Sequence, residues 1–332
     1  MNNKIIILII FVVMSLSCVV YVPPSTSREP HSYSYEERYR GRVSDYDISF
    51  FYDYLAPYGF WVRHSRYGHV WIPRIELLRW RPYTYGYWVW TDYGWTWVSS
   101  FKWGWAAFHY GRWGWDAHLG WYWVPGNVWA PAWVVWRHGR DYIGWAPLPP
   151  DVRFIPGIGI RSIPDLSSDY WIFVEGAYFQ HSRLYRYVLP GERSLTLINI
   201  TNLRAGLEVR NKVVNNRALA PELVESITRT RIRKYNLEHT DSPSTTKVRI
   251  NQVEMFKPEI RDNSLARPRQ VINEEEARTR VKNEFIVSSG EVKRIENPES
   301  LNKVHAEEVR LLEETQQKEI KKLEEEYKAE KT

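Results

Sequence analysis

Residues 110–126 read YGRWGWDAHLGWYWVPG, and this stretch decides the fold class. Trp113 and Trp115 stand two positions apart, Trp121 and Trp123 do the same, and a short polar segment ending in Gly separates the two pairs. Side chains at i and i+2 share one face of a strand, so each W-x-W pair lays two indoles on the same side of a sheet. The stretch therefore predicts two antiparallel strands joined by a tight turn.

The same pattern recurs upstream, which predicts a duplicated hairpin unit. Tyr-Gly pairs open the three units, and their glycines, followed by Gly139, are spaced by 27, 25 and 28 residues. Further W-x-W pairs are Trp88/Trp90, Trp95/Trp97 and Trp103/Trp105. In the first unit, Arg63 and His69 stand at positions that hold Trp in the other two. We expect a meander of short antiparallel strands in three units.

The composition divides the 332 residues into six segments. The expected boundaries are 1–18 for an export or lipoprotein-type signal, 19–45 for a polar tether, 46–150 for the Trp-rich β repeat domain, 151–260 for a second β-rich region, 261–298 for a polar linker with a possible helix, and 299–332 for a charged helix. The fold class expected is mainly β, with a short helix in the second region and a charged α-helix at the C-terminus. That tail is expected to be a free or weakly pairing helix, with a coiled coil as the alternative.

Short apolar runs in the second region predict its elements. Strands are expected at 170–174, 184–189, 195–200, 207–214 and 247–256, and a helix from Pro221 to about residue 230. Pro is well suited to the first position of a helix, which favours the helix start.

The first residues have the layout of an export signal. Lys4 precedes an apolar run from Ile5 to Met14, and Cys18, the single cysteine of the chain, follows directly. This position predicts cleavage and lipidation at Cys18, which would tether the protein to a membrane through its N-terminus. An uncleaved anchor and simple secretion are the alternatives, since the run from Ile5 to Val22 approaches the length of a spanning helix.

Several strings in the chain resemble a family of exported, Trp-rich bacterial proteins known only as a domain of unknown function. The resemblance rests on Y110GRWGW, G120WYWVPG, A130PAW and above all G144WAPLPP, and it extends through most of residues 46–260. It implies export and a Trp-rich β fold, and it brings no activity, substrate or cofactor.

The density of tryptophan, 17 of 18 lying between Trp61 and Trp145, has two interpretations. Indoles can fill the core of a thin sheet that has few aliphatic residues, because each buries ~150 to 250 Å². Alternatively, one face presents an exposed aromatic ladder on which the apolar faces of sugar rings stack. The candidate platform consists of Trp88, Trp90, Trp95, Trp97, Trp113, Trp115, Trp121 and Trp123.

Catalytic and metal-binding patterns are not found in the sequence. The nine histidines do not form an H-x-H or H-E-x-x-H motif, and there is no phosphate-binding or nucleophile motif. No cofactor, metal or catalytic residue is therefore predicted. The net charge of +6 is modest, and export favours anionic envelope polymers or lipid headgroups over nucleic acid as partners. A basic face that is simply solvated is the favoured interpretation of this surplus.

Together these features predict a periplasm-facing lipoprotein of the outer membrane that serves as a structural or binding component of the bacterial envelope. Its expected partners are the membrane and an envelope glycan or envelope protein. The alternative is an envelope glycan hydrolase, which would need two carboxyl groups ~5 to 10 Å apart beside exposed indoles.

Overall fold

The computed structural model describes residues 46–75, 80–155, 158–160, 162–210 and 213–282. These residues form a mainly β fold with a few short helices, which confirms the expected fold class. The expected signal, tether and charged tail helix lie outside the described residues. Within the described ranges, no helix combines the length and apolar character needed to span a membrane.

Four hairpins built from eight strands follow one another in the first half of the described chain. Their strands are β1 Gly59–His64, β2 Gly68–Pro73, β3 Gly86–Thr91, β4 Gly94–Ser99, β5 Arg112–Asp116, β6 Gly120–Val124, β7 Val134–His138 and β8 Tyr142–Pro147. Helix α1, Ile48–Leu55, precedes the first hairpin, and the short helix α2, Gly104–Ala107, lies between the second and the third.

The second half contains shorter strands and helices. The strands are β9 Phe154–Ile155, β10 Gly159–Ile160, β11 Ile172–Glu175, β12 Asn202–Arg204, β13 Leu207–Arg210, β14 Val213–Asn216, β15 Lys234–Thr240, β16 Lys247–Val248, β17 Gln252–Phe256 and β18 Ile272–Asn273. The helices are α3 Ser194–Asn199 and α4 Pro221–Thr228, and α5 begins at Glu274 and is described to Lys282.

The hairpins are distributed over different sheets. The first and third share a five-stranded sheet in the order β18-β1-β2-β6-β5, where Trp71 is opposite Trp123. The second lies in a seven-stranded sheet, β13-β14-β4-β3-β15-β17-β16, and the fourth in a four-stranded sheet, β11-β8-β7-β12. Strands from beyond residue 150 therefore pair directly with strands of the repeat.

The expected simple meander is wrong in two respects. The chain does not run from β4 to an adjacent β5, because residues 101–110 form turns and helix α2 instead of a hairpin loop. Trp103 and Trp105, predicted as a strand pair, belong to this helical segment. Gly104 packs against Ser99 so closely that a Cβ atom would lie 2.3 Å from its hydroxyl oxygen, and two alanines after Trp105 favour helix.

Two of the five strands predicted in the second region are helical instead, and two others, 207–214 and 247–256, are each divided into two strands. Residues 195–200 lie largely in helix α3, since a six-residue apolar run does not distinguish strand from helix, and the side chains that become buried, Ser194 and Leu197, are three positions apart. Residues 184–187 form a 3₁₀ turn, in which Tyr185 stacks on Tyr85 at 4.8 Å between ring centroids. The predicted helix from Pro221 is confirmed.

A glycine at the start of each unit allows an indole and a neighbouring carbonyl to approach the chain closely. At Gly111, where φ is +62°, a Cβ atom would lie 2.2 Å from the carbonyl oxygen of Val124 and 2.7 Å from the indole of Trp123. Gly59 and Gly86 have the same arrangement with the Trp and carbonyl of their own units. The repeated Tyr-Gly motif thus has a steric cause.

The core of the molecule is aromatic. The ring centroid of Trp88 lies 4.6 Å from that of Trp136 and 5.7 Å from that of Trp145, so the second and fourth hairpins pack together. In the five-stranded sheet, the face opposite the indoles of Trp61 and Trp71 carries aliphatic side chains such as Val62 and Val70, which pack with Ala277 of helix α5. Indoles thus take the place that aliphatic residues hold in most cores, as the packing interpretation expects.

Candidate functional site

The strand registers place the tryptophans of each unit in cross-strand pairs on one face. We call the pairs farther from the hairpin turn "inner" and the pairs nearer to it "outer". The inner pairs are Trp61/Trp71, Trp88/Trp97 and Trp113/Trp123. The outer pairs are Arg63/His69, Trp90/Trp95 and Trp115/Trp121.

All three inner pairs are buried, with at most 2% of any side chain exposed. Several of their indole N–H groups donate to backbone carbonyls: Trp71 to Leu55, Trp113 to Ala107 and Trp123 to Tyr110. Buried polar groups need such partners, so these bonds fix the orientation of each ring. The inner pairs are packing elements and have no surface for a ligand.

The outer pair of the second unit is covered by residues from the second half of the chain. The Trp95 indole N–H donates to the Leu219 carbonyl at 3.0 Å, and Phe179 meets the Trp95 ring edge-on at 4.9 Å. The Arg217 guanidinium lies 5.4 Å from the ring centroid of Trp90. Only 8% of Trp90 and none of Trp95 is exposed, so this pair also belongs to the core.

The outer pair of the third unit is covered on one side only. Trp115 is 38% exposed and is the single exposed side chain among the 18 tryptophans, all of which are described. Trp121 beside it is 6% exposed and meets Tyr170 edge-on at 5.1 Å. The backbone N–H of Trp115 donates to the Tyr170 hydroxyl at 3.0 Å. We call Trp115, Trp121 and Tyr170 the Trp115 site.

A polar cluster of Tyr67, Asp151 and Arg66 lies near Tyr170. The Tyr67 hydroxyl donates to the Asp151 carboxylate at 2.7 Å, and the same oxygen is 2.9 Å from the Arg66 guanidinium. Burial, followed by the bond to Asp151, raises the pKa of Tyr67 to about 12. Burial also raises the pKa of Tyr170, and the Asp151 charge adds to this effect. These tyrosines keep their protons at neutral pH and can donate hydrogen bonds.

Gly114 explains why a glycine separates the two tryptophans of this strand. It is opposite Tyr122, and a Cβ atom at Gly114 would lie 2.4 Å from the Tyr122 ring carbon that carries the hydroxyl. The ring therefore lies directly over the strand, on the face opposite Trp115. Tyr122 also contacts His64 and Tyr67, with ring centroids 5.1 and 6.1 Å away.

Asp116 directly follows Trp115 in strand β5, so its side chain lies on the opposite face of the sheet. Asp116 accepts from the backbone N–H groups of His118 and Leu119 at 2.8 and 3.0 Å. Although partial burial opposes them, these bonds hold the pKa of Asp116 below its ordinary value. A general acid of a glycosidase needs a raised pKa instead. Asp116 is therefore suited to stabilising the turn and to accepting hydrogen bonds.

The eight predicted platform residues thus fall into two groups. Seven lie in the core: Trp88, Trp90, Trp95, Trp97, Trp113, Trp121 and Trp123. Among these eight, only Trp115 presents its ring to solvent, so they do not form an exposed ladder. Cys18, the predicted lipidation residue, lies outside the described residues. Among the described residues, no group of three or more His, Cys, Asp or Glu side chains is arranged to hold a metal.

The sequence interpretation missed Tyr170, Tyr67 and Asp151. Tyr170 lies in an expected strand but forms the end of a 3₁₀ turn, and Asp151 follows the Pro-rich end of the repeat. Neither has a spacing relative to Trp115 that would identify it. One signal was present, since Tyr67 is next to the glycine of the first hairpin turn, where an aromatic residue is free to reach a neighbouring segment.

Comparison with protein families identifies one match. Residues 52–152 match DUF6600, described as a family of unknown function. The expected resemblance is confirmed for this span, which contains the first four hairpins. Searches of curated proteins and of solved structures found no match.

Proposed function

We propose that this protein is a component of the bacterial envelope that binds glycans at the Trp115 site. The proposal rests on Trp115, which is 38% exposed, whereas the other indoles of the repeat are buried or, at Trp80, partly buried. The Trp115 ring lies beside the Trp121 indole, with centroids 5.4 Å apart, and is accessible for stacking on a ring-shaped ligand. The export-type sequence around Cys18 supports an envelope location, with a lipid anchor at that residue.

The chemistry around the indole supports a sugar ligand. An indole face stacks on the C–H face of a sugar ring, and polar groups near Tyr170 can bind hydroxyls. Asp151 carries acceptor oxygens there, and Arg66, paired with it, carries N–H donors. A compact combination of one apolar plane and several polar groups is the usual composition of a ligand-binding surface.

Hydrolysis has less support as a second candidate function. Asp116 is the carboxylate next to Trp115 in the chain, and the two backbone N–H groups that it accepts keep it ionised. Asp151 is occupied by Tyr67 and Arg66. A binding surface requires only that these oxygens accept hydrogen bonds.

The test is co-sedimentation of the full-length protein with purified, insoluble peptidoglycan. Stacking would cover the 38% of Trp115 that is exposed, which is about 60 to 95 Å² of a side chain of ~150 to 250 Å². At about 25 cal/mol per Å², Trp115→Ala should lose about 1.4 to 2.4 kcal/mol, or roughly ten- to fiftyfold in affinity. Leu195→Ala is the matched control, because Leu195 is 65% exposed and belongs to helix α3.

Binding through the indole should depend little on salt, because the contact is apolar. A bound fraction that is equal for the unchanged protein and Trp115→Ala, or that disappears in moderate salt, would contradict the proposal. Equal losses in Trp115→Ala and Leu195→Ala would indicate nonspecific hydrophobic adsorption and would also contradict it.

A further inference from the structure

The first unit differs from the others at its outer pair. Arg63 is opposite His69 in the register, at the positions of Trp90/Trp95 in the second unit and Trp115/Trp121 in the third. The outer end of the indole face therefore carries a guanidinium and an imidazole in this unit. Two basic side chains replace two apolar ones, which changes what this end of the face can bind.

A cleft of about 380 Å³ opens at this position. Its walls are helix α1 through Tyr52, the first hairpin through Tyr67 and His69, and the loop of residues 262–267. Bonds between α1 and the loop keep this wall in place, since Ile48 N–H donates to the Arg261 carbonyl and the Asn263 amide donates to Asp47. The volume is within the range of small-molecule sites.

Three side chains present unused hydrogen-bonding groups to the cleft. Only 8% of Tyr52 is exposed, yet its hydroxyl has no hydrogen-bond partner among the described residues. The His69 ring nitrogens likewise have no partner in the described part of the chain, although the ring contacts Tyr52 at 6.0 Å. One Arg267 nitrogen, Nη1, donates to the carbonyls of Ser264 and Ala266, which leaves Nε and Nη2 available. These groups are accessible from the cleft, so a ligand there can form hydrogen bonds with them.

The charges around the cleft are mainly positive. Besides burial, the charges of Arg267 and Arg63 lower the pKa of His69, so both guanidinium groups lie near the imidazole. Asp262 also lines the cleft, and its charge reaches the Tyr52 hydroxyl together with that of Arg267. Asp47, at the start of helix α1, also acts on Tyr52, and the Arg261 charge offsets it. Arg267 in the cleft and Arg63 beside His69 thus exceed Asp262 by one positive charge. An anionic group would balance the excess, and Asp262 can accept hydrogen bonds from neighbouring hydroxyls.

We propose that this cleft is a second binding site, separate from the Trp115 site, for a small ligand that carries a carboxylate or phosphate group and hydroxyls. Arg63 and Arg267 bind the anionic group, the Tyr52 hydroxyl and the His69 imidazole donate to it or to an adjacent oxygen, and Asp262 accepts from a hydroxyl. Guanidinium is well matched to both anions because it donates parallel N–H bonds. Arg63 and His69 thus replace the outer indole pair with two side chains that can bind an anion.

The experiment is a titration of the full-length protein, labelled at histidine Cε1 with ¹³C, with three probes at constant ionic strength. The probes are inorganic phosphate, glucuronate and neutral glucose, and the His69 signal is identified from its absence in His69→Gln. We expect a saturable shift of this signal with phosphate, glucuronate or both, and none with glucose. Phosphate alone would identify a phosphorylated ligand as the natural class, and glucuronate alone a sugar acid.

Two exposed arginines provide variants that should leave the fold intact. Arg267→Gln and Arg63→Gln should each weaken binding at least tenfold, since each removes a charge-assisted hydrogen bond. Arg231→Gln is the control, because Arg231 is exposed and outside the lining of the cleft. Absence of saturation with either anion in the millimolar range would overturn the proposal, as would unchanged binding in both cleft variants. Trp115→Ala should not alter this titration, which separates it from the test of glycan binding.

Discussion

Gly111→Ala and Gly68→Ala form a matched pair that tests why the Tyr-Gly motif is repeated. Both glycines have a positive φ, +62° and +74°, so both substitutions impose the same strain on an L residue, about 1 to 2 kcal/mol. Part of this is offset in each case by about 0.4 to 1 kcal/mol from the restricted unfolded chain. The two positions differ in their surroundings, because a Cβ atom at Gly68 would meet nothing within 4 Å.

At Gly111 the added atom collides with two fixed groups. It would lie 2.2 Å from the Val124 carbonyl oxygen and 2.7 Å from the buried Trp123 indole. Overpacking of this kind costs about 1 to 3 kcal/mol. Moving the indole would also strain its bond to the Tyr110 carbonyl, now 2.8 Å long, which contributes about 1 kcal/mol. We therefore expect a loss of about 3 to 5 kcal/mol for Gly111→Ala and of about 1 kcal/mol or less for Gly68→Ala.

The assay is equilibrium urea denaturation of both full-length variants, monitored by circular dichroism. In thermal denaturation of a domain of about 150 to 250 residues, each kcal/mol shifts Tm by about 2 to 4 °C, so the Tm of Gly111→Ala should be at least 6 °C below that of the unchanged protein. If the two variants differ by less than about 1 kcal/mol, the close approach at Gly111 does not limit stability. The steric account of the motif would then be wrong.

Three further predictions follow from burial and from the N-terminal sequence. Trp95→Ala removes a fully buried indole together with its hydrogen bond to the Leu219 carbonyl. We expect urea denaturation to show a loss of about 3 to 5 kcal/mol in the free energy of unfolding, and a loss below about 1 kcal/mol would contradict a core role. Burial lowers the pKa of His109 from 6.5 to about 4, so the unfolded state binds more protons between these values. Stability should therefore fall by about 3 kcal/mol as pH drops from about 6.5 to 4, and His109→Gln should lack this part of the loss in calorimetry over that range. Cys18 should carry lipid, so a clickable fatty acid should label the protein in cells but not Cys18→Ser; equal labelling of both would point to another anchor.

The spacing of tryptophans is sufficient to predict the strands that carry them. The period of two leads directly to the same-strand pairs Trp88/Trp90 and Trp113/Trp115, and the structure has both in strands. Such local patterns depend only on the alternation of side chains along a strand. They do not determine the neighbour of each hairpin, so the pairing of β2 with β6 was not predicted.

Exposure of the outer pairs could not be read from the repeat, because it depends on distant segments. Trp95 is covered through Leu219, which lies 124 positions away, whereas Trp115 receives only Tyr170 at its open edge. Equivalent positions in the motif therefore have different surroundings. The fourth hairpin was missed for a different reason, because Trp136 and Trp145 pair across it without any W-x-W spacing.

The substitutions in the first unit were visible in the sequence, but their consequence was not. Arg63 and His69 break the Trp pattern, and the pattern alone leaves open whether that unit stacks like the others. The hairpin keeps its register, and α1 covers the inner pair through the bond from the Trp61 indole to the Tyr52 carbonyl. The cleft depends on the 262–267 loop, which has no motif that links it to the repeat.

The Trp115 indole is exposed to solvent and, in the proposed function, stacks on a glycan, whereas the indoles of the inner pairs belong to the core. This difference can be measured by ¹⁹F NMR of full-length protein labelled with 5-fluorotryptophan, with the Trp115 signal identified through Trp115→Phe. We predict that exchange of H₂O for D₂O and addition of soluble peptidoglycan fragments will shift the Trp115 signal and leave the signals of the inner pairs unchanged. A Trp115 signal that does not respond to the fragments, or comparable shifts for several inner-pair indoles, would contradict the account.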